Sequence, residues 1–367
     1  MFKTSEMNLI SETCSLFCFS GRMDSIVTFG NGNINDTFLL SSKDRDDTER
    51  YILQRINHEV FNDPVALMDN FSRVIDHLKQ KSSHAKGGEK VLSLIETKDG
   101  KSFTLDGNGN YWRMLEFISE GCSMEFPENK NQAYEAARAF GNFQSDLNDL
   151  PEPPLVETIP DFHNPEIRYQ QFITAIQKDR VGRVDQVSDL ITFVKKRDHF
   201  ATLIRSSEFP RRVVHNDTKF NNVLLHKETG RAICVVDLDT VMPGCVLHDF
   251  GDLVRTAACS AIEDEQNLDR VNFLPEIFES IVQGYLETAG NMLSFREIDA
   301  LPSAPLVITY ELGLRFLTDY LEGDHYFKVK NERHNLDRSR AQFKLLESME
   351  KQGESMREIH QKIVDRF

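Results

Sequence analysis

The hydrophobic rhythm of the chain changes about a third of the way along. Up to residue 118, short β-prone runs alternate with turn residues, and 26–29, 37–40, 51–56, 90–96, 102–106 and 111–118 read as strand segments. Asp99-Gly100, between two of these runs, predicts a two-residue hairpin. Over 64–81, Leu67, Phe71, Val74, Ile75 and Leu78 recur at helical spacing, and Pro64 suits a first turn. Beyond 118 the period becomes helical. Ala136, Phe140, Phe143, Leu147 and Leu150 step by four and three until Pro151-Glu152-Pro153-Pro154 stops them, and 165–179 and 185–206 follow as helices. A short mixed section predicts strands at 212–214, 222–225 and 232–237, with a turn at 227–230. From about 249 onward the pattern is again helical. The expected class is α+β, with two lobes at 1–118 and 119–367. The first would hold about five antiparallel strands and one helix, the second mainly helices.

Composition narrows this picture. Of 367 residues, 40% are hydrophobic, enough for a sizeable core. A formal net charge of −15 argues against a nucleic-acid partner, which a basic surface would recruit. Among the six cysteines, only Cys14 and Cys18 are close, and at that spacing they are expected on one helix face beside Leu16 and Phe17. No zinc spacing is present, so buried free thiols are expected. The N-terminus lacks a basic region followed by an apolar stretch, and no run is long enough to span a bilayer. A cytoplasmic protein with no membrane partner is expected, with the monomer as default.

The chemistry concentrates in His215-Asn216-Asp217-Thr218-Lys219-Phe220-Asn221-Asn222. In such a loop the Asp can orient an attacking hydroxyl, and an Asn five residues on offers an oxygen to Mg²⁺, the two requirements of phosphoryl transfer. The alternative is a polar loop whose Asn and Asp residues merely shape turns. Cys234-Val235-Val236-Asp237-Leu238-Asp239 is an apolar run ending in carboxylates, which burial penalises unless a cation meets them. Asp237 is the natural metal ligand, with Asp239 a weaker candidate. Asp249-Phe250-Gly251 looks like another metal motif, but it lies 32 residues beyond Asp217 and reads as a helix start, with Asp249 or Asp252 as N-cap. Lys219 could offset charge on a transferring phosphoryl group or simply be solvated. The turn at 30–35 could cover phosphates with backbone N–H groups, although it is no strict glycine fingerprint. Along 308–322, Ile308, Leu312, Phe316 and Tyr320 form a core stripe, while Arg315, Asp319 and Glu322 share another face that suits a polyhydroxylated ligand or an exposed salt-bridged surface. Gly323 is expected to end that helix, with Tyr326 in the following turn.

These segments resemble the aminoglycoside phosphotransferase and choline kinase superfamily, which has a protein-kinase-like two-lobed fold. Within it, Gly30-Asn-Gly-Asn-Ile-Asn, Tyr51-Ile-Leu-Gln, Val214-His-Asn-Asp-Thr-Lys-Phe-Asn-Asn, Asp237-Leu-Asp-Thr-Val-Met-Pro-Gly and Leu317-Thr-Asp-Tyr-Leu-Glu-Gly-Asp resemble the N-acetylhexosamine 1-kinases. The resemblance implies ATP and Mg²⁺ as nucleotide and cofactor, with phosphorylation of the anomeric hydroxyl of N-acetylglucosamine or N-acetylgalactosamine. It implies Asp217 as base and metal at Asn222 and Asp237; Lys219 is a further catalytic candidate, and Gly30, Gly32, Asn33, Gln54, Glu116 and Ile118 are the candidate nucleotide contacts. Sugar contacts would come from Asn35, Asp217, Asn222, Arg315, Asp319 and Tyr326. The small lobe would bind the nucleotide, and the large lobe would carry catalysis and the sugar. Gln54 stands where the wider superfamily has a phosphate-gripping lysine, and 64–81 contains no Glu to pair with one. Phosphate anchoring is thereby left to metal ions, glycine-loop amides or Arg55. A kinase for another small alcohol and a nucleotide-binding pseudokinase are the competing readings.

Overall fold

The structure, a computed structural model, describes residues 4–30, 34–44, 47–82 and 90–367. The fold is mixed α+β and kinase-like. The chain divides into two units, residues 1–121 with 153–159, and residues 122–152 with 160–367.

The smaller unit runs α1 (Thr4–Cys14), β1 (Arg22–Thr28), β2 (Asp36–Asp44), β3 (Asp47–Ile56), α2 (Pro64–Ser82), β4 (Leu94–Ile95), β5 (Thr104–Leu105) and β6 (Tyr111–Glu116). Its antiparallel sheet is ordered β1-β2-β3-β6-β4, with β5 also on β6. Among the described residues it has six strands, one for each β-prone run and so one above the expected total of about five, and two helices where one was expected. Strand alternation sorts β6 between two layers. Trp112 and Met114 join Phe38, Leu40 and Leu53 in a cluster with Ile10 and Cys14 of α1. Arg113 points the other way, its guanidinium 4.2 Å from the centre of the Phe71 ring on α2.

The Asp99-Gly100 expectation needs correcting. A turn forms there, closed by the Thr97 N–H on the Lys101 carbonyl at 2.8 Å. However, β4 and β5 do not pair with each other; both lie along β6, Leu94 opposite Leu115 and Thr104 opposite Trp112. The hairpin that forms is β5–β6, whose turn is organised by Asp106 accepting from the Asn108 and Asn110 N–H groups and from Trp112 Nε1. Cys14 and Cys18 share no helix face either. The helix ends at Cys14, and the Cys18 N–H leaves to bond the Glu96 carbonyl. Cys14 is buried, Cys18 exposed and Cys122 half-buried, so Cys18 and Cys122 depart from the expected set of buried thiols.

At the passage between the units' residue ranges lies β7 (Gly121–Cys122). The larger unit then runs α3 (Lys130–Leu147), α4 (Pro165–Lys178), α5 (Ser188–Lys195), α6 (Phe200–Leu203), β8 (Arg212–Val214), β9 (Val223–His226), β10 (Ala232–Val235), β11 (Met242–Gly244), α7 (Val246–Ala257), α8 (Pro275–Ala289), α9 (Phe295–Ala300), α10 (Ala304–Glu322), α11 (His334–Lys351) and α12 (Gly353–Val364). Residues 185–206 are not one helix. The turn ending α5 releases Arg197, which stacks on Phe193 and reaches Glu350 of α11 at 3.0 Å. One apolar core, drawn from α3, α7, α8 and α10 among others, carries two short antiparallel pairs, β9–β10 and β8–β11. No helix among the described residues is long and apolar enough to cross a membrane.

Candidate active site

The 215–222 loop is built from its edges inward. β8 pairs with β11, Val214 opposite Met242, and the strands approach so closely that only glycine fits at 244. A Cβ there would lie 2.5 Å from Val214 Cγ2 and 3.0 Å from Asn216 Oδ1. Leaving β8, the chain turns at Asn216 with φ of 63°, a left-handed conformation that Asn tolerates better than most residues. Asp249 holds this turn. Its two oxygens accept the His215 and Asn216 N–H groups, each at 2.7 Å, and Gln144 Nε2 donates to it at 2.6 Å. The Asp249 carbonyl accepts the Thr218 hydroxyl. Burial pushes the Asp249 carboxyl above its ordinary range, against the pull of His215 and the two backbone donors. The helix-capping expectation is thereby corrected. Cys245 is the N-cap of α7, while Asp249 and Asp252 lie inside the helix. Thr240 and Val236 complete the frame, accepting or giving hydrogen bonds at His215 and Asn216.

Asp217 emerges from this frame about a quarter exposed, its carboxylate 3.1 Å from Lys219 Nζ. Burial would raise its pKa, but Lys219 and His215 outweigh that and hold it below the usual carboxylate value. Asp217 in turn raises Lys219 above its ordinary value, against burial. Asn222 Nδ2 donates to the Asp217 carbonyl at 2.8 Å and to its carboxylate at 3.2 Å, which turns the Asn222 amide oxygen to the opposite side. The Asn222 carbonyl accepts the Val236 N–H at 2.9 Å, extending the β9–β10 pairing to the residue before Asp237. Asp237 itself is left-handed, with φ of 60°. Asp239 is buried.

Further along the larger unit, a groove of about 620 Å³ is lined by Arg168, Gln171, Lys178, Arg315, Glu322 and Tyr326, among others. The Arg315 guanidinium lies between 5.2 and 5.6 Å from the ring centres of Phe162, Tyr326 and Phe327, and donates to Tyr326 Oη at 3.3 Å. Gly323 ends α10 with φ of 106°, and Tyr326 sits in the turn beyond. Asp319 lines the groove as well. Its oxygens accept the His325, Tyr326 and Phe327 N–H groups and Asn335 Nδ2, so it fastens the Tyr326 turn from inside.

In the smaller unit, Gly30 begins its turn with φ of 73°, while Gly32 and Asn33 lie outside the described residues. Phe29 meets Phe117 edge-on at 5.8 Å, bringing the end of β1 beside the segment that holds Glu116 and Ile118. Glu116 is exposed and Ile118 half-buried. Asn35 is buried, its side-chain oxygen accepting the Asn57 N–H at 3.0 Å. Gln54 is braced by Arg113, whose Nε and Nη2 donate to its amide oxygen at 2.9 and 2.7 Å, leaving Gln54 Nε2 on Thr37 Oγ1. Arg55, a candidate phosphate anchor, is held by Asp36 at 2.6 Å.

A family profile described as the phosphotransferase enzyme family, APH, matches residues 25–279. The chain belongs to this family. The phosphotransferase resembles a solved aminoglycoside phosphotransferase from Alicyclobacillus acidocaldarius, with a TM-score of 0.58 and 11% identity over 97% of this chain and 95% of that one. A microcompartment-associated aminopropanol kinase gives 0.56 and 15%, over 96% and 98% of the two chains. An ethanolamine kinase of Plasmodium vivax gives 0.51 and 13%, over 86% and 80%. At these identities the likeness is one of fold.

Sequence reasoning missed several residues that the phosphotransferase builds around these groups. Arg113, buried behind Gln54, sits in a strand where a lone cation gives no pattern. Arg168 donates Nη2 to the Asp161 and Phe162 carbonyls at 2.9 and 3.0 Å, fixing one wall of the groove. His163 bridges Glu311 on α10 and the Asn216 carbonyl in the loop, at 3.1 and 2.9 Å. The available sequence signal was that Glu311 stands one helical turn before Arg315.

Proposed function

We propose that this phosphotransferase is an ATP-dependent N-acetylhexosamine 1-kinase, with the groove beside Arg315 and Tyr326 as its acceptor site. The supporting observation is the charge of that groove. Arg168, Lys178 and Arg315 line it against Asp319 and the half-buried Glu322, three cations to two carboxylates, with the Asp319 oxygens turned to the backbone N–H groups of the following turn. Burial and the neighbouring Arg315 lower the pKa of Arg168, so two guanidinium groups press on each other there. Such a surface repels the ammonium of an amino alcohol or aminoglycoside and offers donors to hydroxyl and amide oxygens. A neutral acetamido sugar suits it.

In this reading Asp217, kept ionised by Lys219, accepts a hydrogen bond from the anomeric hydroxyl and orients its oxygen toward the γ-phosphorus of ATP. As the new O–P bond forms, the bond from that phosphorus to the β,γ-bridging oxygen breaks, ADP departs with the electron pair, and the hydroxyl proton passes to Asp217. Lys219 offsets charge on the transferring group. Among the described residues no cluster of three or more His, Cys, Asp or Glu could hold a metal ion by itself. The Asn222 amide oxygen and the Asp237 carboxylate nevertheless fit Mg²⁺, a hard ion that takes one or two protein oxygens and completes its shell with phosphate and water. When bound, Mg²⁺ would neutralise phosphate charge. Nucleotide contacts fall to the Gly30 turn, Gln54, Glu116 and Ile118, with Gln54 Nε2 oriented by Arg113 in place of a lysine.

A panel of free sugars and amino alcohols incubated with ATP and Mg²⁺, with the product position read by NMR, tests this. Sugar 1-phosphate from N-acetylglucosamine or N-acetylgalactosamine is expected. Arg315→Ala should raise KM for the sugar about tenfold, roughly the loss of one charge-assisted hydrogen bond. Preference for a cationic alcohol, or an unchanged sugar KM, would sink the assignment, and ATP consumption indifferent to every acceptor would point to a nucleotide-binding module.

A further inference from the structure

We infer that His163, as an imidazolium paired with Glu311, is a positioning residue for the base: it fixes the Asn216 carbonyl, and so the turn presenting Asp217, and ties that turn to the groove wall. This rests on Asp217 being the base. The argument starts from donors and acceptors. Nδ1 of His163 faces a Glu311 oxygen at 3.1 Å and Nε2 faces the Asn216 carbonyl at 2.9 Å. The Asn216 carbonyl is an acceptor, and with Glu311 ionised so is its carboxylate, a pair of contacts that a ring protonated on both nitrogens satisfies. Glu311 is fully buried and His163 nearly so, which leaves no water to substitute for either bond.

The surrounding groups agree with this protonation state. Facing the pair are Arg315 on α10 beside Glu311, Arg168 on α4 with Nε 3.9 Å from Glu311, and His248 on α7 with its ring centre 5.3 Å from that of His163. Burial and the neighbouring His163 push His248 down to about 3, so it stays neutral. Burial opposes charge on both members of the pair, but their attraction wins. His163 is raised above its ordinary value, and Glu311 is brought down to about 2.

The same few residues reach the groove. Phe162, one residue before His163, stacks its ring edge-on against the imidazole at 4.8 Å and lies 5.2 Å from the Arg315 guanidinium. Arg168 clamps the Asp161 and Phe162 carbonyls from the other side. The side chains lining the groove thus grip the segment 161–163 that holds the turn at Asn216. Neither the nucleotide nor the acceptor touches His163 in this scheme; it acts through backbone.

The test uses His163→Leu, His163→Gln and Glu311→Gln in the full chain. In His163→Leu, kcat should fall about 30-fold while KM for ATP stays within about twofold, the signature of a displaced base. Amide hydrogen exchange across 213–219 should quicken. His163→Gln, whose amide can still donate to the Asn216 carbonyl, should recover most of the turnover. In the parent protein, turnover should fall as pH rises through the raised pKa of His163. Glu311→Gln should move that fall to lower pH, because the ring loses the charge that kept it protonated. A folded His163→Leu protein with parental kcat and parental exchange overturns the inference. So does a pH profile unmoved in Glu311→Gln. Should His163→Leu not fold, the other two variants decide by the same readouts. Exchange does not depend on turnover. A protein that phosphorylates no acceptor would therefore refute the proposed function while the loop measurement still decides this one.

Discussion

The loop at 215–222 and the Gln54 end of β3 bring polar groups to comparable tasks by opposite means. In the loop, Asp249 and Thr240 hold the backbone, with Gln144 behind Asp249 and the Val236 carbonyl on the His215 ring, while Asp217, the proposed base, is left with Lys219 and Asn222. Frame and proposed base are separate residues, and the frame's central acceptor, Asp249, is almost fully buried. At Gln54, one guanidinium, Arg113, grips the amide oxygen while the amide nitrogen of the same side chain points to Thr37. The gripped atom and the candidate contact belong to one side chain. A separated design tolerates loss of the reactive group without loss of shape, whereas a shared one does not.

Three substitutions would break or sharpen this contrast. Asp217→Asn has the largest expected effect, a fall in kcat of about 10³-fold, in the range for removing a general base. Its urea unfolding midpoint should stay at the parental value, and a collapse in stability would show that the frame needs Asp217 after all. Asp249→Ala should do the reverse, costing about 3 kcal/mol of stability by stranding buried donors at His215, Asn216 and Gln144, with activity lost as a consequence. Equilibrium unfolding in urea measures it; a change under about 0.5 kcal/mol would remove Asp249 from the frame. Arg113→Met should act most mildly, raising KM for ATP about fivefold through a loosened Gln54 and lowering stability by about 1 kcal/mol. If KM holds while stability falls, Arg113 is packing alone and the shared design is wrong.

The same contrast governs what could be read from sequence. The nearness of Asp217 and Asn222, and of the strand end before Asp237 to Asn222, was legible from short spacing on a turn and an apolar run ending in a carboxylate. The small unit's sheet was legible from alternation, except where Asp99-Gly100 made a turn without a hairpin; there, two-residue strands found more hydrogen bonds on β6 than on each other. Support residues had no such local pattern. His163 lies in a loop, Glu311 on a helix 148 residues later, and Arg113 in a strand, each meaningful only once the fold brings its partner near. Asp319 lines the groove and also fastens the turn after its own helix, and that second task has no local pattern because a polar helix face looks alike whether or not it holds the backbone beyond it. Asp249 illustrates the converse: a familiar-looking tripeptide whose carboxylate is spent on two backbone amides and a glutamine.

The return of residues 153–159 to the smaller unit means that the covalent chain passes between the two units three times. Within that unit the strap is sewn on through main-chain atoms: the Asn70 amide both donates to the Val156 carbonyl at 2.8 Å and accepts its N–H at 3.0 Å, and Arg73 reaches the Pro153 carbonyl. Gene fusion or family shuffling at a single point near 121 would therefore deliver a smaller unit whose strap comes from the other parent. Because Asn70 and Arg73 read backbone and not side chains, such hybrids should be sewn as well as the parents are. One crossover can thus exchange all of the smaller unit but its strap, although the polypeptide crosses between the units three times.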